Sequence, residues 1–260
     1  MLNGQITIVK LGGKVLSDAQ RLSAALKSFV RIQGVKILVH GGGRRLNNLL
    51  RRLGMEPKMI GGRRITDENA LEAALMVYAG LENKKIVADL QALKCPAIGL
   101  SGADAGIILA QKRPVDKIDY GFVGDIRKVN ALSIRKLLQT GFVPVFCALT
   151  HDGKGQMLNT NADTIASAIA AALAAFFHTR LIFAFEKRGV LEDPANEKTI
   201  IRNLDLLLYQ KLKKNQTINE GMLPKLDNAF QALNAGVEEV LISRYDQIAD
   251  MNNGTRITIQ

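Results

Sequence analysis

The stretch Val9-Lys10-Leu11-Gly12-Gly13-Lys14 ends an apolar run that begins at Ile6, and the fold turns on how it is read. Ile6 to Leu11 predicts a buried strand, and the two glycines after it predict a sharp turn. Without a Cβ, glycine lets backbone N–H groups approach a ligand closely, while Lys10 and Lys14 add positive charge. Phosphate is the guest this chemistry suits, and a strand end with two solvated lysines is the alternative.

Outward from this turn, Leu22, Ala25, Leu26 and Phe29 recur at helical spacing, and Val35 to Val39 predicts a second strand. This β-α-β opening runs into His40-Gly41-Gly42-Gly43, after which Leu46, Leu49, Leu50 and Leu53 again follow helical spacing. A second glycine loop therefore lies between a strand and a helix N-terminus, where unpaired N–H groups and the helix dipole favour an anion. Arg44, Arg45, Arg51 and Arg52 lie opposite the leucines and read as a solvated basic face.

Further along, Gly61-Gly62 predicts a hairpin turn with Arg64 on the return strand, and Thr66-Asp67-Glu68 starts a helix through Leu71, Ala74, Leu75 and Tyr78. The chain then predicts a helix over Lys84 to Leu93, a strand over Pro96 to Leu100 and a β-meander over 105–129. Next come a helix over Leu132 to Gln139 and one buried strand over Val143 to Leu149. The loop His151-Asp152-Gly153-Lys154-Gly155, where periodicity stops, is the expected boundary between two lobes. Beyond it, Asn159 to Asp163 feeds an Ala-rich helix with His178 at its C-terminus, and Leu181 to Phe185 predicts a strand. Asp193-Pro194 marks a turn, and helices follow over Leu204 to Lys214 and from Pro224 through Leu233. Strands over Glu239 to Ser243 and Thr255 to Ile259 close the sheet. Alternating strands and helices imply an α/β fold with a mostly parallel central sheet and helices on both faces.

Among the 260 residues, 35 Lys and Arg against 24 Asp and Glu give a net charge of +11, so nucleotides, carboxylates and nucleic acid are all eligible partners. The absence of Trp and the small number of Phe and Tyr argue against a surface that stacks bases. A basic nucleic-acid-binding module, motivated by the charge and the arginines after Gly43, remains the rival from another class. Cys95 and Cys147 have no paired spacing, which fits a reducing compartment. The N-terminus carries no secretory pattern. The longest apolar run, Ile165 to Phe177, is shorter than the about 20 residues a membrane span needs. A cytoplasmic protein with no membrane partner is expected.

His40-Gly-Gly-Gly also suits the oxyanion hole of a serine hydrolase, but Gly99-Leu100-Ser101-Gly102-Ala103 misses the nucleophile elbow by one position. Of the three histidines, His151 lies in a glycine loop and His178 reads as a helix cap. Neither a Walker loop nor a dinucleotide fingerprint is present, and no metal-ligand cluster is visible. Two glycine loops, lysines and Asp163 remain, which is equipment for phosphoryl transfer by positioning and charge stabilisation. A carboxylate acceptor, with a pKa of about 4.3, would need no general base at neutral pH.

Taken in order, VKLGGK (9–14), VHGGG (39–43), GRRIT (62–66), DYGFVGDIRKVN (119–130), GQMLNTNAD (155–163) and GMLPK (221–225) resemble the amino acid kinase family over nearly the whole chain. The resemblance implies an open αβα sandwich with about eight strands in a mostly parallel central sheet. An N-lobe, 1–155, would bind an acyl amino acid and dimerise, and a C-lobe, 156–260, would bind ATP. The implied reaction moves the γ-phosphoryl group of ATP to the side-chain carboxylate of an N-acyl-L-glutamate, acetyl or alternatively succinyl, in arginine biosynthesis.

By the same resemblance, Lys10 and Lys225 would stabilise charge on the transferring group and Asp163 would hold those lysines. Gly12, Gly13, Gly42 and Gly43 would offer N–H groups to phosphate oxygens. Arg64 and Asn159 would bind substrate carboxylates, and Asn161 would be structural. Mg²⁺ would be held mainly by ATP phosphates, with no protein ligand. Glu186, Gly189 and Met222 are the nucleotide-side candidates. The first two lie in Ala184-Phe185-Glu186-Lys187-Arg188-Gly189, which departs from the family's Leu-Ser-Asp-Val-x-Gly. Family members with an extra N-terminal helix form arginine-sensitive hexamers. This chain begins about four residues before its first strand, so a homodimer that arginine does not inhibit is expected.

Overall fold

The computed structural model describes residues 4–60, 63–193, 195–215 and 222–259. The turn expected at Gly61-Gly62 lies outside these residues, as do Pro194 and the Glu220-Gly221 approach to the last helix. The β-α-β opening forms as β1 (Gln5–Leu11), the short α1 (Gly13–Leu16), α2 (Ala19–Arg31) and β2 (Val35–His40). After the second glycine loop come α3 (Gly43–Arg52), β3 (Met59–Ile60), β4 (Arg63–Arg64) and α4 (Glu68–Ala74). A π-helical stretch, Leu75–Glu82, joins α4 to α5 (Asn83–Ala92). β5 (Ala97–Leu100), β6 (Ile108–Lys112), β7 (Gly124–Val129), α6 (Ala131–Gln139), β8 (Val143–Phe146), β9 (Leu149–His151) and β10 (Met157–Asn159) follow. The remaining elements are α7 (Ala162–Ala174), β11 (His178–Phe185), β12 (Asn203–Leu204), α8 (Leu206–Lys214), α9 (Leu223–Asn234), β13 (Glu239–Arg244) and β14 (Thr255–Ile257).

Short polar side chains start the helices where the chain places them. Asp18 accepts from the Arg21 N–H at 3.0 Å, Asp67 from Ala70 at 2.9 Å, Asn130 from Ser133 at 3.1 Å and Asp205 from Leu208 at 2.7 Å. Each satisfies a donor that the first helical turn leaves open. Pro224 lies in the first turn of α9, where its missing N–H costs little.

The fold is α/β, with strand order β12-β14-β13-β11-β1-β2-β8-β5 in one eight-stranded sheet. The sheet is mixed: β1/β11, β11/β13, β5/β8 and β12/β14 are parallel, whereas β13/β14 is antiparallel. A second sheet orders as β10-β9-β6-β7, and β3 pairs with β4 alone. The chain divides into two compact units, Met1–Leu38 with Ala166–Gln260, and Val39–Ile165. In the first, Ile6, Ile8, Leu11, Leu181, Phe183, Val240 and Ile242 are all but sealed from solvent, which explains why these strands read as continuous apolar runs. In the second, Ile86, Leu90, Val145, Phe146 and Leu158 form part of the core. The 151–155 loop is the turn between the antiparallel β9 and β10, within that second unit.

Three local expectations change. The region 105–129 is no continuous meander: β6 and β7 pair antiparallel across a long connection, with a register shift at Leu109/Ala110. Pro114 cannot donate to a ladder, and Arg113 instead grips Asp125 of β7 through a two-pronged ion pair. Val143 to Leu149 is two strands in two sheets, because the Leu149 N–H bonds back to the Cys147 carbonyl at 2.9 Å and breaks the run. His178 opens β11 rather than capping a helix, and its Nδ1 meets Glu238 at 2.7 Å. No helix among the described residues is long and apolar enough to cross a membrane.

Candidate functional site

In the first unit, the expected residues gather at the C-terminal ends of β1 and β11. Lys10 is nearly buried in β1, in register with Phe183. The Gly12 N–H continues the ladder to the Ala184 carbonyl at 2.8 Å. That donor is committed to the sheet, which corrects its expected role toward phosphate. A Cβ at Gly12 would stand 3.2 Å from the Ala184 oxygen and 3.3 Å from the Phe185 Cβ, so close strand packing accounts for this glycine. Gly13 begins α1 and is exposed.

Glu186 follows β11 and forms an ion pair with Lys14. Burial pushes the Glu186 carboxyl up, but the Lys14 hydrogen bond, together with the charges of Lys14 and Lys225, outweighs it and holds the group below the usual carboxylate range. Lys225, half-buried in the first turn of α9, therefore shares its field with Glu186, and Met222 is the N-cap of the same helix. Gly189 has a packing reason: a Cβ there would meet Thr255 Oγ1 at 2.5 Å, where that hydroxyl accepts from the Val190 N–H at 2.8 Å. A cavity of about 270 Å³ nearby is lined by Arg21, Glu186, Lys187, Glu197, Arg244 and Tyr245.

In the second unit, β2 ends in His40 and the glycine loop caps α3, with the Leu46 N–H bonded to the Gly42 carbonyl at 2.9 Å. Arg64 is buried on β4, not solvated as a lone hairpin arginine would be. Its Nη2 donates to the Gly43 carbonyl at 3.3 Å and to Asn47 Oδ1, while Nη1 is buried without a hydrogen-bond partner. A buried guanidinium nitrogen in that position is equipped to grip a carboxylate. Asn159 donates from Nδ2 to Thr66 Oγ1 at 3.0 Å and lies beside Val123. Asn161 caps α7, accepting from the Asp163 N–H at 2.7 Å, which leaves Asp163 buried in the first turn.

Around the glycine loop the structure adds residues that the sequence pattern did not mark. The Tyr78 ring lies where a Gly42 Cβ would be, 2.7 Å from it. Burial raises the Tyr78 pKa, and the nearby charge of Arg64 partly offsets the rise. Glu82, at the end of the π-helical stretch, is buried against Arg45 of α3; burial raises its carboxyl pKa despite that partner. His40 is sealed in the interior between Gly41 and Asn83. Helical spacing marked Tyr78 only as core, and nothing in the pattern pairs residue 40 with residue 83. Ser101, the near-miss nucleophile, donates its hydroxyl to Asp104 at 2.7 Å in a turn that leads to a single 3₁₀ segment, so no elbow forms.

Fold and side chains together define an α/β protein with two strand-glycine-helix junctions, cationic groups near one and a buried guanidinium near the other. The chain belongs to the amino acid kinase family, whose model matches residues 5–243. It is 48% identical over 253 residues to the acetylglutamate kinase of Bacteroides thetaiotaomicron, covering 97% of this chain and 98% of that one. It is 37% identical to the acetylglutamate kinase of Methanopyrus kandleri over 94% of this chain and 96% of the other. Among solved structures, N-acetylglutamate synthase from Neisseria gonorrhoeae, complexed with coenzyme A and N-acetyl-glutamate, superimposes with a TM-score of 0.80 at 24% identity. That match covers 99% of this chain and 60% of the synthase, and it supports the fold alone.

Proposed function

We propose that this protein is an ATP-dependent kinase of the γ-carboxylate of N-acetyl-L-glutamate, giving N-acetyl-L-glutamyl 5-phosphate in arginine biosynthesis. The observation that carries the reading is the 48% identity to an acetylglutamate kinase across 97% of the chain. A carboxylate oxygen attacks the γ-phosphorus, the bond to the bridging β–γ oxygen breaks, and ADP departs. The acceptor is already ionised at neutral pH, so no proton has to be removed. Catalysis then consists of orientation and charge stabilisation.

In this reading Lys10 and Lys225 carry the charge stabilisation, with Asp163 keeping those lysines in place. The Gly13, Gly42 and Gly43 N–H groups face phosphate oxygens, with Gly12 packed against the end of β11. Arg64 and Asn159 bind the carboxylates of the acid, and Glu186 and Met222 lie on the nucleotide side with Gly189 behind them. Among the described residues no three His, Cys, Asp or Glu side chains cluster as metal ligands. Mg²⁺ would be held mainly by the ATP phosphates, as the family resemblance implies, and would neutralise charge there. The acid and the dimer contact are assigned to the unit Val39–Ile165, which holds Arg64 and Asn159, and ATP to the unit that includes Ala166–Gln260, in a cytoplasmic homodimer.

The test is ADP release with N-acetyl-L-glutamate and N-succinyl-L-glutamate in parallel, with the acyl phosphate trapped by hydroxylamine. Acid-dependent ADP release that favours the acetyl compound supports the proposal. A preference for the succinyl compound would move the reading to that substrate, and absence of acid-dependent turnover would reject it.

A further inference from the structure

The Asn83 side chain determines which nitrogen of His40 carries the proton. Asn83 Nδ2 lies 2.9 Å from the Val145 carbonyl oxygen and 3.0 Å from His40 Nε2. A carbonyl can only accept, so the Asn83 atom facing it is the amide nitrogen. Its second hydrogen then points to Nε2, which must accept. The ring is neutral, because burial pushes its pKa down to about 4, and its single proton is left on Nδ1. Nδ1–H donates to the Gly41 carbonyl at 2.8 Å.

This carbonyl belongs to the peptide that carries the Gly42 N–H. The described chain has no cis peptide bond. In a trans peptide C=O and N–H point in opposite directions, so fixing one aims the other. We propose that His40 is a positioning residue for phosphoryl transfer: held by Asn83, it draws the Gly41 carbonyl inward and thereby directs the Gly42 N–H out of the loop toward phosphate oxygens. The inference rests on the kinase reading given above. It gives the first residue of the His-Gly-Gly-Gly loop a task without making it a base. Gly99 belongs to the same arrangement, because a Cβ there would fall 1.9 Å from Asn83 Oδ1, and Gly99 is the β5 partner of Val145.

Two measurements on the full-length protein test this. Nitrogen-15 NMR of the wild-type chain should show His40 neutral in the Nδ1–H tautomer at pH 7; the Nε2–H tautomer or an imidazolium would overturn the proposal, whatever the variants do. Kinetics of H40N and H40Q supply the second. Asparagine places an amide donor near the Nδ1 position, whereas glutamine reaches toward the Nε2 position. H40N should keep kcat within about threefold, and H40Q should lose roughly tenfold or more in kcat with little change in KM for the acid, as expected for a misaimed transition-state donor. Equal losses, or no loss in either, would overturn the positioning role. Failure of the wild-type chain to release ADP in response to the acid would instead reject the kinase reading, with the tautomer measurement still deciding the geometry.

Discussion

Lys10 is held nearly buried in a strand, a costly place for an ammonium unless its charge is used or balanced there. Replacing Lys10 or Lys225 by alanine should lower kcat by roughly a hundredfold, about 3 kcal/mol of transition-state stabilisation, with the unfolding midpoint little changed. Either variant, stable and fully active, would remove that lysine from the reaction. Arg64 has a different expected signature. Its buried Nη1 is suited to a substrate carboxylate, so R64A should raise KM for the acid well above any change in KM for ATP, read from steady-state kinetics with each substrate varied. His40 adds a pH dependence of stability. Its folded pKa of about 4 lies below the ordinary value of 6.5, so between these values the unfolded chain binds more protons. Stability therefore falls as pH drops from about 6.5 to about 4, by roughly 3 kcal/mol from this group alone. Urea unfolding at pH 7 and 4.5 should show a smaller loss for H40N than for the wild type; an identical loss would mean that His40 does not bear it.

At the scale of elements, the start of α3 and the π-helical stretch are fitted to each other through Gly42 and Tyr78. A methyl group at Gly42 would come within 2.7 Å of the Tyr78 ring, so G42A should cost about 1 to 3 kcal/mol. Shortening the ring in G42A/Y78L should recover part of the loss, since the collision is with ring carbons; a strictly additive double variant, measured by denaturant unfolding, would place the strain in the backbone instead. The elements themselves were largely legible. Strand β1, the glycine turns and the helices with acidic or amide caps follow from local periodicity and local capping, which act over a few residues. What was not legible depends on contacts between distant residues. The Cys147 turn splits an apolar run at a point no glycine or proline marks, since Pro144 lies inside β8 and not at the break, and the π-helical stretch has the same apolar spacing as an α-helix. The His40–Asn83 bond spans 43 positions, and the burial of Arg64 depends on α3 packing above a two-residue strand. The lysines and Asp163 were identified by resemblance to a family; local chemistry alone leaves them as a strand end and a helix dipole partner.

For the whole molecule, the excess of positive charge does not translate into a free basic surface everywhere, because Arg45, Arg113, Arg180 and Arg244 each meet a carboxylate. The two compact units differ in the groups they hold. Arg64 and Asn159 belong to Val39–Ile165, and Glu186, Met222 and Lys225 to the unit that includes Ala166–Gln260. If the acid is recognised by the first set and ATP by the second, each ligand alone should stabilise a different stretch of chain against local opening. A ligand that binds only the closed form of its site raises the opening free energy by about 2.7 kcal/mol at a hundredfold excess over Kd, which slows exchange about a hundredfold where opening destroys the site. Hydrogen exchange read peptide by peptide should therefore show N-acetyl-L-glutamate protecting peptides around Arg64, Thr66 and Asn159. A non-hydrolysable ATP analogue should protect those around Phe185 to Gly189 and the start of α9. Protection by the acid confined to the ATP-side peptides would reverse the assignment of substrates to units while leaving the family and fold untouched.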